Sequence, residues 1–122
     1  MVHVSRTLLI VDDHAGFRAS ARALLEASGQ IQVVGEVGTG GEAVGAALRL
    51  RPDIVLLDIA LPDVDGFAVC ESIMRGETFR PVVVLTSSRS PAAYRARLDG
   101  SPARGFIAKD ELSATGLLAL AG

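Results

Sequence analysis

This 122-residue chain has one cysteine, Cys70. That excludes an internal disulfide framework and a cysteine-based zinc site. Long apolar runs are also missing, since uninterrupted stretches reach only four to five residues where a membrane span needs about 20. The N-terminal "MVHVSRTLL" lacks the apolar stretch of a secretory signal. Basic surplus is absent too: 12 Lys and Arg face 14 Asp and Glu, for a formal net charge of −2. The segment is therefore not expected to bind a nucleic-acid backbone by itself. A cytoplasmic domain with no membrane contact is the expectation. Hydrophobic residues make up 49% of the chain, enough for a core, and the length fits one domain better than two.

Short runs rich in Val, Ile and Leu recur as "TLLIV" (7–11), "IQVVGEV" (31–37), "DIVLLD" (53–58), "PVVVLT" (81–86) and "RGFIA" (104–108). Most do not alternate, the pattern of parallel strands buried on both faces. Helical spacing lies between them. Phe17, Ala21, Leu24 and Leu25 make one stripe ended by Gly29, and Ala43, Ala47, Leu48 and Leu50 a second stopped by Pro52. Phe67, Cys70, Ile73 and Met74 make a third, ended by Gly76, with Cys70 as a packed thiol. "SPAAYRARLDG" predicts a fourth helix with Ser90 as N-cap, Pro91 at the first position and Gly100 as terminator; Tyr94 and Leu98 fall on its core or interface side. "DELSATGLLALAG" predicts a fifth, weakened by Gly116 near its middle. Strands alternating with helices imply an α/β fold with a parallel sheet covered on both faces. In such sheets, ligands bind beyond the carboxyl ends of the strands.

Those ends carry a short set of polar residues. The first strand delivers Asp12 and Asp13, the third Asp58, the fourth Thr86, the fifth Lys109. In strand order 2-1-3-4-5 they share one pocket. Three carboxylates so close do not all stay ionised comfortably without a cation, and the hard oxygen donors fit Mg²⁺. Lys109 and Thr86 then read as a phosphoryl clamp, which frees Asp58 to act as nucleophile toward phosphorus.

Together "VDDH", "VLLDIALPDVDG", "VVLTSS" and "GFIAKD" resemble the receiver domain of two-component response regulators, over about Thr7 to Leu120. "DDH" and "GFIAKDEL" look most like the NarL/FixJ (LuxR-type) subfamily. The resemblance implies a flavodoxin-like (βα)5 three-layer sandwich, sheet order 2-1-3-4-5, with residues 1–122 as a single receiver domain. It implies that Asp58 accepts a phosphoryl group from the phosphohistidine of a sensor histidine kinase or phosphotransfer protein. The chain would then catalyse its own phosphorylation and dephosphorylation rather than turn over a substrate. Asp13 would ligate Mg²⁺ directly (Mn²⁺ as substitute), Asp12 through water, with Asp58 and the Ala60 backbone carbonyl completing the protein donors. Thr86 and Lys109 would contact the phosphoryl oxygens, and Thr86 and Phe106 would form the switch that alters the face of the fourth helix, fifth strand and fifth helix. Pro62 and Gly66 match the turn after the phosphorylated aspartate. The subfamily usually carries a helix-turn-helix DNA-binding output domain, regulates transcription and can dimerise on phosphorylation. No such domain falls within these 122 residues, which leaves an excised receiver and a stand-alone phosphorelay receiver both open. The chain departs from the family at Asp110, where Pro is common after the lysine, at Phe106 in place of Tyr, and at Pro102 before the fifth strand.

Two rival functions meet fewer of these residues. Gly38, Gly40 and Ala43 form a G-x-G-x-x-A pattern with Asp58 twenty residues beyond Gly38, as in a dinucleotide-binding turn. That reading leaves Asp12, Asp13 and Lys109 idle. A metal-dependent phosphotransferase of the haloacid-dehalogenase type wants D-x-D-x-T, whereas the pair here is adjacent. His14 reads as a surface residue beside the site, and Asp63 and Asp65 as solvated turn residues.

Overall fold

A computed structural model describes residues 5–122. Five strands alternate with five helices: β1 (Arg6–Val11), α1 (Ala15–Glu26), β2 (Ile31–Val37), α2 (Gly40–Leu50), β3 (Ile54–Asp58), α3 (Gly66–Met74), β4 (Val82–Ser87), α4 (Arg95–Asp99), β5 (Gly105–Ala108) and α5 (Ala114–Ala121). The sheet is parallel in the order β2-β1-β3-β4-β5, the flavodoxin-like arrangement expected.

Period-two alternation within fully buried strands divides the core into two layers. Leu9 and Val11 of β1 and Val55 and Leu57 of β3 face the layer beneath α2 and α3. Leu8 and Ile10, with Ile54 and Leu56, face α1 and α5. All eight have no exposed surface, which explains why these strands read as unbroken apolar runs. Cys70 is buried in the first layer, and burial pushes its thiol upward from the ordinary range.

The helices depart from their predicted form in three places. Leu24 and Leu48 are about half exposed and leave the predicted stripes. Each is one residue from a core position, Leu25 or Ala47, and a turn of about 100° carries it out to solvent. The fourth segment opens as a 3-10 turn over Pro91–Tyr94, and only Arg95–Asp99 is α-helical; Ser90 makes no side-chain cap bond. At the last element, Lys109–Glu111 form a 3-10 turn, and α5 begins after Ser113, whose hydroxyl accepts the Gly116 N–H at 3.0 Å. Gly116 therefore lies in the capped first turn of α5 rather than near its middle. The described residues contain no cis peptide, so the Lys109–Asp110 bond is trans.

The corner after β3 is set by a close approach. Ile59 accepts the Gly66 N–H at 2.9 Å, and Asp65 caps α3 through the Phe67 N–H at 2.8 Å. A Cβ at position 66 would lie 2.3 Å from the Asp58 carbonyl oxygen and 2.6 Å from Ile59 Cα, so only glycine fits. Asp63 accepts the Gly40 and Gly41 N–H groups at 2.9 and 2.8 Å, pinning this corner to the start of α2. Asp63 and Asp65 are thus fastening residues, not merely solvated ones. The Asp63 bonds are not legible in sequence, because they depend on how two distant loops meet.

Candidate functional site

The carboxyl ends of β1, β3, β4 and β5 carry the residues the sequence placed there. Asp12 directly follows β1, Asp58 closes β3, Thr86 is the last residue but one of β4, and Lys109 follows β5. Parallel register sets Asp58 beside Thr86 and Thr86 beside Ile107. Asp12 is fully buried and Asp58 is 3% exposed. Lys109, the one lysine of the chain, reaches both: its Nζ lies 2.6 Å from Asp12 Oδ2 and 3.0 Å from Asp58 Oδ2.

Burial alone pushes all three groups toward their neutral forms, and their partners decide the outcome. For Asp12, burial raises the carboxyl, but hydrogen bonds from Lys109, the His14 N–H and Asp58 outweigh it and hold the group below the usual carboxylate range. For Asp58, burial wins over the Ala60 N–H and Lys109, and the neighbouring Asp12 charge adds to the rise. Burial works against the Lys109 ammonium as well, yet both carboxylates raise its pKa. One firmly ionised acid, one reluctant acid and one fixed cation thus share a small volume.

Asp13 is partly exposed beside them. Asp12, Asp13, His14 and Asp58 each offer one donor atom, and those atoms lie within 4.8 Å of one another. Three hard carboxylate oxygens at one strand-end pocket fit a small divalent cation. Ala60 follows closely, and its N–H donates to Asp58 Oδ1 at 3.0 Å.

Thr86 and Phe106 stand differently from the rest. The Thr86 hydroxyl is buried and donates to the Ile107 carbonyl at 2.6 Å, so it is engaged by β5 rather than aimed at Asp58. Phe106 is half-buried, with its ring centroid 6.4 Å from that of Tyr94. Tyr94 also stands 6.1 Å from Phe67 and shares a contact with Ser87 Oγ at 3.4 Å.

Three neighbours of the site make contacts that the sequence pattern did not assign: Phe17 read only as a helix-stripe residue, His14 only as a surface residue beside the site, and Arg18 was not singled out. Phe17, in the first turns of α1, lies beneath Lys109 with the ammonium 4.5 Å from the ring centroid, a cation–π geometry. Arg18 donates to the Asp12 carbonyl at 2.6 Å and pairs with Glu36 at 3.3 Å. His14 is exposed, yet its Nδ1 lies 3.1 Å from Asp13 Oδ1 and 3.3 Å from Asp12 Oδ1. All three fall within six residues of Asp12, His14 at the N-cap of α1 and the other two in its first turns; that proximity was the available signal.

The response regulator receiver domain family matches residues 8–120. LiaR, a transcriptional regulatory protein of Bacillus subtilis, is 38% identical over 80 residues, covering 66% of this chain and 38% of its own. EvgA, a DNA-binding transcriptional activator of Escherichia coli K12, is 32% identical over 103 residues, 84% of this chain and 50% of its own. This chain therefore spans half or less of those two relatives. Among solved structures, the signal receiver domain of NarL from Mycobacterium tuberculosis superimposes with a TM-score of 0.84 at 30% identity, covering 97% of each chain. Strand order, strand-end residues and these matches agree, and the chain belongs to the response regulator receiver domain family.

Proposed function

We propose that this chain is a phosphorylatable switch in which Asp58 accepts a phosphoryl group from a histidine kinase or phosphotransfer protein. The observation that carries the reading is the convergence of Asp58 with Asp12, Asp13 and Lys109 at neighbouring strand ends. An Asp58 oxygen attacks the phosphorus of a donor phosphohistidine. The O–P bond forms as the N–P bond breaks, and the imidazole leaves with the electron pair and takes up a proton. Lys109 offsets charge on the phosphoryl oxygens, and the Ala60 N–H orients the Asp58 carboxylate. Asp13, Asp58 and the Ala60 carbonyl would hold a divalent cation, Mg²⁺ or Mn²⁺, with Asp12 acting through water, and such an ion would supply the remaining charge neutralisation.

Modification is read out by Thr86 and Phe106. For its hydroxyl to meet a phosphoryl oxygen, Thr86 must leave the Ile107 carbonyl, which frees the space and bonding that hold β5 and Phe106. The new charge biases a two-state element already present. The surface of α4, β5 and α5 then changes toward its partner. That partner is a second copy or, in a longer protein, a DNA-binding output domain of the kind EvgA's name describes. A cytoplasmic site of action is part of this reading.

Acetyl phosphate with Mg²⁺ should add one phosphoryl mass to the wild-type chain, read by intact-mass spectrometry. Asp58→Ala and chelation of the metal should each abolish the gain. Lys109→Ala should slow it by about tenfold or more. Undiminished labelling of Asp58→Ala would refute the assignment.

A further inference from the structure

We infer that Phe17 is a positioning residue for phosphoryl transfer, its ring face fixing the Lys109 ammonium beside Asp58. The inference rests on the reading that Asp58 is the phosphoacceptor. Its own basis lies outside the acidic cluster, in the aromatic ring beneath the cation. Lys109 Nζ stands 4.5 Å from the Phe17 centroid, inside the range of about 6 Å over which a ring face attracts a cation. The Lys109 side chain is only 15% exposed, so water does little to dilute that attraction.

The two side chains come from unlike parts of the fold. Phe17 heads the apolar stripe of α1. Ala21 and Leu25, four and eight residues further on, are buried and seat the helix on the core layer against which Phe17 also packs. Phe17 itself is half-buried at the end of the stripe next to the site. Lys109, by contrast, follows β5, which buries only Ala108, and opens a 3-10 turn that buries nothing. Its stem is flexible as well, so its own element does little to hold the charge still. Among the described residues the ammonium meets Asp12 at 2.6 Å, Asp58 at 3.0 Å and the ring. Phosphorylation alters Asp58, and a bound cation competes for carboxylate oxygens. The ring is changed by neither. It therefore keeps the ammonium in place through the step, and a charge already in position is what stabilises a transferring phosphoryl group.

The test compares labelling of the untagged chain by acetyl phosphate with Mg²⁺. Phe17→Met and Phe17→Leu keep the stripe apolar but remove the ring, and each should slow labelling about threefold to tenfold. Phe17→Tyr keeps a ring face and should stay within about twofold of the wild type. In a Lys109→Ala background the ringless substitutions should slow labelling no further, since a ring that acts through the ammonium then has nothing to hold. Lys109 is the one lysine of the chain, so carbon-13 lysine gives a single ε-methylene signal whose proton shift reads the ring directly. Without metal, that signal should lie upfield of free lysine in the wild type and in Phe17→Tyr, and return toward the free value in both ringless variants. Ringless variants that label at the wild-type rate or keep the upfield shift would overturn the inference and leave Asp58 as phosphoacceptor. So would Phe17→Tyr labelling as slowly as they do, or equal slowing in the Lys109→Ala background. If Asp58→Ala labels as fast as the wild type, the phosphoacceptor reading falls, and the inference with it.

Discussion

At the scale of single residues, the site is an arrangement of charges that the fold holds against their own repulsion. Two unit charges 4.8 Å apart, the limit for this cluster, repel by roughly 3 kcal/mol at an effective dielectric of about 20. Lys109 offsets part of this, and Asp58 is left as the group whose ionisation the fold disfavours. The sign of the pH dependence follows. A carboxyl with a raised folded pKa costs nothing below its unfolded value of 3.8, and its cost grows as pH climbs from there to the folded value, above which it is fully present. Asp58→Asn should therefore stabilise the metal-free protein at pH 7, by on the order of 1 kcal/mol. The gain should vanish below the unfolded value. Asp12, with its lowered pKa, contributes in the opposite sense but is present in both proteins. Urea melts in chelator across that pH range measure the difference; a gain that persists in acid would contradict it. Asp12, Asp58 and Lys109 were legible in sequence because each directly follows a buried apolar run. The orientation of Thr86 was not, since its hydroxyl bonds to a carbonyl of another strand, and no local pattern encodes that choice.

At the scale of elements, glycine separates positions where the backbone needs space from positions where it does not. Gly66 sits where β3 turns into α3, and its missing Cβ is what lets the helix start against Ile59. Gly45 lies on the exposed face of α2, and a Cβ there would meet nothing within 4 Å. The two substitutions should therefore have opposite signs. Gly66→Ala forces backbone apart and should cost about 2 kcal/mol or more. Gly45→Ala removes unfolded-chain entropy and should add up to about 1 kcal/mol. Denaturant midpoints at unchanged slope would check both, and equal signs would refute the contrast. Strand positions were readable to within a residue or so, and for β1, β3 and β4 the reason is that burial on both faces leaves no polar alternation to confuse them. Helix limits were less so. The true start of α5 depends on Ser113 bonding the Gly116 N–H, while the preceding Leu112 stays extended. An acidic pair at Asp110 and Glu111 imitates a helix start without being one.

At the scale of the whole molecule, the sheet has a firm centre and a weakly held edge. Leu8–Val11 and Ile54–Leu57 are entirely buried, whereas the 3-10 turn and α4 bury no residue and β5 buries only Ala108. What fastens α4 is mostly at the surface. Arg97 pairs with Asp65 at 2.7 Å with both side chains about half exposed, a bond worth about 0–1 kcal/mol. The same guanidinium covers the Phe67 ring at 4.2 Å. Opening free energies follow buried apolar contact. Native-state hydrogen exchange should accordingly divide the amides into two classes. Those of β1 and β3 should exchange only through global unfolding, with a steep dependence on low denaturant. Protected amides between Ala93 and Ala108 should exchange through local opening, insensitive to denaturant and at least about 2 kcal/mol lower. One common, denaturant-dependent free energy across both regions would defeat this division. The division bears on switching because Phe106 and the carbonyl that holds Thr86 both belong to the edge. On the proposed reading, a charge added at Asp58 would have to supply only the free energy of rearranging that edge, while the buried strands beside it keep the remaining site residues in place.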